Sequence, residues 1–96
     1  MLEELKKYQE MANFLKIFGD ENRLKILFLI DKEPHTVTDL TNKLGLSKSA
    51  ISHQLRILKD NRIVAQKKVG KNIYFSLNDW HVTSILNITN EHIMEK

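Results

Sequence analysis

Ninety-six residues, 42% hydrophobic and 28% charged with a net charge of +3, suit one modest core and exclude a disordered chain. No cysteine is present, which removes disulfides, thiolate metal sites and thiol redox sensing together. No apolar run reaches membrane length, and Met1-Leu2-Glu3-Glu4 places acids where a signal peptide wants bases, so the expectation is a single cytoplasmic domain over 1–96 with no membrane partner.

Leu5, Tyr8, Ala12 and Leu15, with Met11, Phe14 and Phe18 beside them, form a broad helical stripe that Gly19 ends. Asp20 caps a second helix in which Leu24, Ile26, Leu27, Phe28 and Ile30 are apolar on most sides, the signature of a core helix. Pro34 closes that stretch. Thr36 with Asp39 three residues on is a capping box for a short helix that buries Leu40 and Leu44 and stops at Gly45. Ser47 caps the next helix, Lys48 to about Asp60, with Ala50, Ile51, Leu55 and Leu58 inward. The two short helices, joined by Leu44-Gly45-Leu46-Ser47, read as a helix-turn-helix.

Past Asn61 the period changes from helical to alternating. Ile63–Val69 and the alternating Ile73, Phe75 and Leu77 predict a β-hairpin around Gly70-Lys71-Asn72. Asn78 is expected to cap a last helix with apolar Val82, Ile85, Leu86, Ile88, Ile93 and Met94. The fold class is therefore mostly α with a small β-hairpin, a winged helix-turn-helix in the order α-α-α-α-β-β-α.

Charge is unevenly spread. Between residues 46 and 75, Lys48, Arg56, Lys59, Arg62, Lys67, Lys68 and Lys71 face only Asp60, whereas residues 76–96 set Lys96 against Asp79, Glu91 and Glu95. A basic middle and an acidic end suggest a polyanion-binding centre and a cation-binding tail. Short polar and basic side chains at Lys48, Ser49, Ser52, His53 and Arg56 are what a major-groove recognition helix needs. Lys67, Lys68 and Lys71 at the hairpin could neutralise flanking phosphates. Double-stranded operator DNA is the expected partner, and an ordinary solvated face is the alternative.

Asp79, His81, His92 and Glu95 are four metal-capable side chains on one predicted helix. At about 1.5 Å per residue the two histidines stand roughly 16 Å apart, too far to share an ion. Eleven residues are close to three turns, so both face much the same way. An antiparallel second copy would set Asp79 and His81 of one chain beside the other's His92 and Glu95, giving two equivalent N2O2 sites per homodimer. That donor set suits four-coordinate Zn(II); Ni(II) and Co(II) usually take more ligands but stay open. The competing reading has Asp79 capping its helix and the other three solvated. His53 is expected to face DNA or pack in part, His35 to be a loop residue, and Trp80 to pack at a dimer seam.

Three stretches, Phe18-Gly19-Asp20-Glu21-Asn22-Arg23-Leu24-Lys25-Ile26-Leu27, Leu46-Ser47-Lys48-Ser49-Ala50-Ile51-Ser52-His53-Gln54-Leu55 and Ile73-Tyr74-Phe75-Ser76-Leu77, resemble the ArsR/SmtB family of winged-helix metalloregulatory repressors. The resemblance covers nearly the whole chain. It implies a homodimer through the first and last helices that binds operator DNA when metal-free and releases it on binding metal. Asp79-x-His81 followed by His92-x-x-Glu95 resembles the last-helix site of the family's zinc sensors. Thr36-Val37-Thr38-Asp39-Leu40 stands where relatives with a thiolate site carry Cys-Val-Cys-Asp-Leu, so that site is absent. The resemblance also implies metal efflux or sequestration genes as targets. A metal-independent winged-helix regulator is the alternative, and a dimeric protein-interaction module a more distant one. No nucleophile–base pair or phosphate loop suggests an enzyme.

Overall fold

The computed structural model describes residues 1–95; Lys96, counted above in the charge of the acidic end, lies outside them. Five helices and one hairpin follow in the order α1 (Leu2–Ile17), α2 (Glu21–Lys32), α3 (Val37–Leu44), α4 (Lys48–Asp60), β1 (Val64–Val69), β2 (Asn72–Leu77) and α5 (Trp80–Met94). This is the winged helix-turn-helix order that the patterning predicts.

Helix starts follow the capping chemistry. Asp20 accepts from the Arg23 N–H at 3.0 Å, and Ser47 accepts from the Ala50 N–H at 3.1 Å. Thr36 and Asp39 close a reciprocal capping box, with the Thr36 N–H donating to Asp39 Oδ2 at 3.0 Å and the Asp39 N–H to Thr36 Oγ1 at 3.1 Å. Gly45 at φ 70° ends α3 in the left-handed conformation that the sharp turn into α4 requires. At Gly19 the expectation is only half met. The helix stops at Ile17 with Phe18 still right-handed, and a side chain at Gly19 would meet the Lys16 carbonyl at 3.3 Å.

Ile26, Leu27 and Ile30 of α2, Leu40 of α3 and Ile51, Leu55 and Leu58 of α4 make the core, which Ile63, Val64 and Phe75 of the wing region and Val82 and Leu86 of α5 complete. Ala50, expected on this inner side, is exposed; Gln54 and Ile57 turn partly inward instead. None of the α1 residues is buried, and Leu2, Leu5, Tyr8, Met11 and Leu15 lie open on it. Ile88, Ile93 and Met94 leave a second uncovered apolar face at the far end of α5.

The wing leaves α4 through a Schellman motif. The Arg62 N–H donates to the Lys59 carbonyl at 3.0 Å and the Ile63 N–H to the Leu58 carbonyl at 2.9 Å. Arg62 takes the left-handed position at φ 56°, where glycine is the usual occupant, and Leu58 and Ile63 are both fully buried. β1 and β2 pair antiparallel from Val64↔Leu77 to Val69↔Asn72 around a two-residue Gly70-Lys71 turn, with Gly70 at φ 62°. His35 adds to the open edge of β2, exchanging backbone bonds with Phe75 at 3.1 and 2.8 Å.

His35 is the loop residue expected of it, and a buried one. It lies between α2 and α3 but is only 2% exposed. Lys43 Nζ donates to its Nε2 at 2.8 Å, so Nδ1 carries the proton and donates to the Glu33 carbonyl at 2.7 Å. Asn78 departs from its expected role, since Asp79 and not Asn78 caps α5. The Asn78 N–H is spent on the Ile63 carbonyl at 2.9 Å and its side-chain amide on Asp79 Oδ2 at 3.0 Å.

Two expectations follow. Replacing Arg62 by glycine removes the left-handed penalty and should raise the unfolding free energy by about 0.5–1 kcal/mol, read from urea denaturation at fixed protein concentration. In the capping box, the Thr36 N–H above all, then the Thr36 hydroxyl and the nearby His35 and Lys43, outweigh a desolvation cost and hold the Asp39 carboxyl below the ordinary carboxylate range. Its contribution is therefore complete above the unfolded value and is lost as pH falls through the lowered folded value. Amide shifts of Thr36 and Asp39 followed by NMR should titrate below an exposed aspartate, and Asp39→Asn should abolish that step.

Candidate nucleic-acid interface and metal site

Burial of Ile51, Leu55 and Leu58 turns the opposite side of α4 outward, and Lys48, Ser49, Ser52, His53 and Arg56 are all exposed along it. These five form one polar face from the first turn to the third. His53 belongs to the exposed set and is not packed. Ser49 is partly preorganised by the neighbouring cap, its hydroxyl 3.2 Å from that of Ser47.

The wing sorts its lysines by strand alternation. Cross-strand partners share a face, so Lys68 lies with Ile73 and, two residues back, Gln66 with Phe75, while Lys67 lies with Tyr74 on the other face. Gln66 and Phe75 look toward α4 across an open cleft of about 300 Å³ that Ser52, Arg56 and Lys59 also line. Lys67 lines a different hollow with Glu33, Pro34 and Tyr74. Lys71 sits in the two-residue turn at the tip. The three lysines of the sequence reading are all exposed, but Lys67 and Lys68 leave opposite faces.

At the other end of the chain, α5 divides the metal-capable residues into two pairs. Asp79 is the N-cap, with Oδ1 accepting the N–H groups of His81 at 3.0 Å and Val82 at 3.4 Å. His81 Nδ1 stands 3.3 Å from the same Oδ1. His92 lies in the last turn and Glu95 is the C-cap residue, its N–H bonded to the Glu91 carbonyl. All four side chains are exposed, and among the described residues no three His, Asp or Glu groups gather within one chain. The side-chain amide of Asn78 first, then the Val82 and His81 N–H groups and the His81 ring, hold the Asp79 carboxyl below its ordinary range against a cost of desolvation. Trp80 is 70% exposed, its indole centroid 4.1 Å from the His81 ring at an angle of 37°.

The donor chemistry fits a divalent ion. A tetrahedral ion with bonds near 2.0–2.2 Å holds adjacent ligand atoms roughly 3.3–3.5 Å apart. The His81 Nδ1 to Asp79 Oδ1 distance of 3.3 Å already matches that bite. Oδ1 already accepts the His81 and Val82 N–H groups with its two lone pairs, so an ion held at that oxygen would compete with the helix cap.

Two side-chain links absent from the sequence reading join these regions to the core. Gln54 turns inward from α4, and its Oε1 accepts from Arg23 Nε at 2.8 Å. Thr83 of α5 donates to Asp31 at the end of α2 at 3.3 Å. Both bridge residues far apart in sequence, and no local pattern announces them.

Comparison with known proteins fits this geometry. The profile of the arsR family of bacterial regulatory proteins matches residues 20–66, from the cap of α2 into the first strand of the wing. A transcriptional repressor SmtB homolog from a Synechocystis species is 37% identical over 91 residues, covering 95% of this chain and 69% of that protein. A cadmium resistance regulatory protein CadC homolog from Staphylococcus aureus is 35% identical over 78 residues, covering 80% of this chain and 64% of that protein. The chain thus spans about two thirds of the length of these curated relatives. Among solved structures, NolR from Sinorhizobium fredii superposes with a TM-score of 0.85 at 34% identity, covering 93% of this chain and 89% of that one. With five helices, a two-stranded wing and relatives of this identity along nearly its whole length, the chain belongs to the ArsR family of bacterial regulators, whose members are transcriptional regulators and not enzymes.

Proposed function

We propose that this protein is a metal-responsive transcriptional repressor. Its apo homodimer binds operator DNA, and Zn(II) at inter-subunit sites releases it to derepress metal efflux or sequestration genes. The observation that carries this reading is the division of α5, with Asp79 and His81 at one end, His92 and Glu95 three turns on, and an uncovered apolar face at the far end of the helix. A single chain leaves each pair two ligands short. Antiparallel packing of two copies completes both sets at once, with Asp79 and His81 joined by His92 and Glu95 of the partner subunit. The open apolar faces of α1 and α5 supply the surface that such packing buries.

Zinc suits the site because two imidazoles and two carboxylates close a tetrahedral shell around a d10 ion. A closed shell leaves no position for substrate, which fits a regulatory and not a catalytic ion. Lys48, Ser49, Ser52, His53 and Arg56 enter the major groove, and Lys68 and Lys71 meet the phosphates beside it, with Lys67 on the other face of the wing contributing less. A ring N–H of His92 that is not needed for metal donates to a backbone carbonyl around Asn61–Ile63, where α4 ends. The capping role of Asp79 favours a second reading, a regulator of the same fold indifferent to metal.

Fluorescence anisotropy of a duplex selected by the protein from a random-sequence pool, titrated with zinc, cobalt and nickel, separates the two. An allosteric coupling free energy of ordinary size, about 1–3 kcal/mol, predicts a zinc-induced loss of roughly 5- to 150-fold in DNA affinity. One metal should bind per protomer. His92→Ala should keep apo DNA binding and lose the zinc response; release at the wild-type zinc concentration would refute the sensing role. In the same assay Lys68→Ala and Lys71→Ala should each lower the slope of log affinity against log salt by about one. Lys67→Ala, on the far face of the wing, should change it less.

A further inference from the structure

Arg23 occupies an unusual junction. Its Nε–H donates to Gln54 Oε1 in the middle of α4 at 2.8 Å, and its Nη1–H donates to the carbonyl of Ile17, the last residue of α1, at 3.3 Å. Its own backbone N–H is held by the Asp20 cap, which fixes where the side chain departs from α2. One planar, always-charged group carried by α2 therefore ties α1 to α4, and its two donors are set at a fixed angle to each other.

The surroundings make this junction more than an ordinary tie. No α1 residue is fully buried; only half-buried Phe14 and Ile17, followed by Phe18 just past the helix end, fasten its C-terminal end to the core. The Ile17 carbonyl is one of the terminal groups that the helix itself cannot satisfy. Gln54, for its part, leaves α4 on the side away from the exposed Ser52, His53 and Arg56.

We propose that Arg23 is a positioning residue that locks the angle of the recognition helix α4 to the end of the dimer helix α1 through Gln54. The inference rests on the DNA-binding reading of α4. In an apo dimer the link holds two recognition helices at the spacing that paired half-sites demand. A dimer rearranged by metal moves the end of α1, and the guanidinium carries that movement to α4.

The test compares each variant's affinity for the selected duplex with its affinity for a scrambled duplex of equal length and charge. Losing a hydrogen bond to a charged group is worth roughly a factor of ten. Arg23→Ala should weaken binding to the selected duplex by about that much while leaving the scrambled duplex nearly unchanged, because phosphate attraction does not depend on helix angle. Gln54→Ala should reproduce the loss, and the double variant should lose no more than either single one. Arg23→Lys should not restore affinity, since one ammonium cannot span both acceptors. If Arg23→Ala does not fold, Gln54→Ala carries the same comparison with the guanidinium still on Ile17. Equal losses on both duplexes, losses that track melting temperature, or additive losses in the double variant would each overturn the positioning role. A wild-type protein that selects no duplex at all would instead overturn the DNA-binding reading.

Discussion

Ile51, Leu55 and Leu58 press α4 onto the core made by α2 and α3, and this contact fixes the helix about its own axis. Each such side chain gains about 1.5–3 kcal/mol from burial, so a rotation by one residue, near 100°, would forfeit several kcal/mol. The outward direction of Lys48, Ser49, Ser52, His53 and Arg56 is therefore a consequence of packing on the opposite side. The same ridge sets the wing. Leu58 supplies the carbonyl that receives the Ile63 N–H, so the hairpin starts from the buried end of the helix that it accompanies.

The constraint on α1 runs the other way. Sixteen residues of helix carry Leu2, Leu5, Tyr8, Met11 and Leu15 into solvent and bury none of them. A helix of that length is marginal in water on propensity alone. Its stability must come from whatever covers its apolar stripe. For a second copy of the chain, folding and association become linked, so stability rises with protein concentration. The exposed Ile88, Ile93 and Met94 place α5 under the same requirement. Of these two partly uncovered helices, α5 is the one that carries the metal-capable residues.

Local chemistry was readable wherever one residue type answers one backbone need. Asp20, the Thr36–Asp39 box, Ser47, Gly45 and Gly70 each appear where their caps or turns require, and the core positions of α2 follow from periodicity. What sequence could not settle is non-local or ambiguous. His35 is buried because Phe75, forty residues on, takes both of its backbone groups. Arg62 occupies a left-handed position that no residue type marked. Asn78 and Asp79 are equally good caps on paper, and the choice falls to Asp79 because the Ile63 carbonyl claims the Asn78 N–H. Among the proposed metal ligands the spacing was legible, while the pairing concerns a second chain that no single sequence contains.

The displacement of the cap from Asn78 to Asp79 has a structural consequence for the coupling between the two ends of the molecule. The Leu58 carbonyl holds the Ile63 N–H, the Ile63 carbonyl holds the Asn78 N–H, and the Asn78 side chain holds Asp79 Oδ2. Asp79 Oδ1 then holds the N–H groups of His81 and Val82. The last turn of the recognition helix and the first turn of α5 therefore share one unbroken run of hydrogen bonds. Had Asn78 been the cap, its side chain would have been spent on the helix, and the run would have stopped before the carboxylate. With Asp79 in that place, a cation drawn to the carboxylate competes for the same oxygen lone pairs that organise α5 and hold the Asn78 side chain at the base of the wing. Capping and metal binding then become two demands on one group, set three hydrogen bonds from the helix that faces DNA.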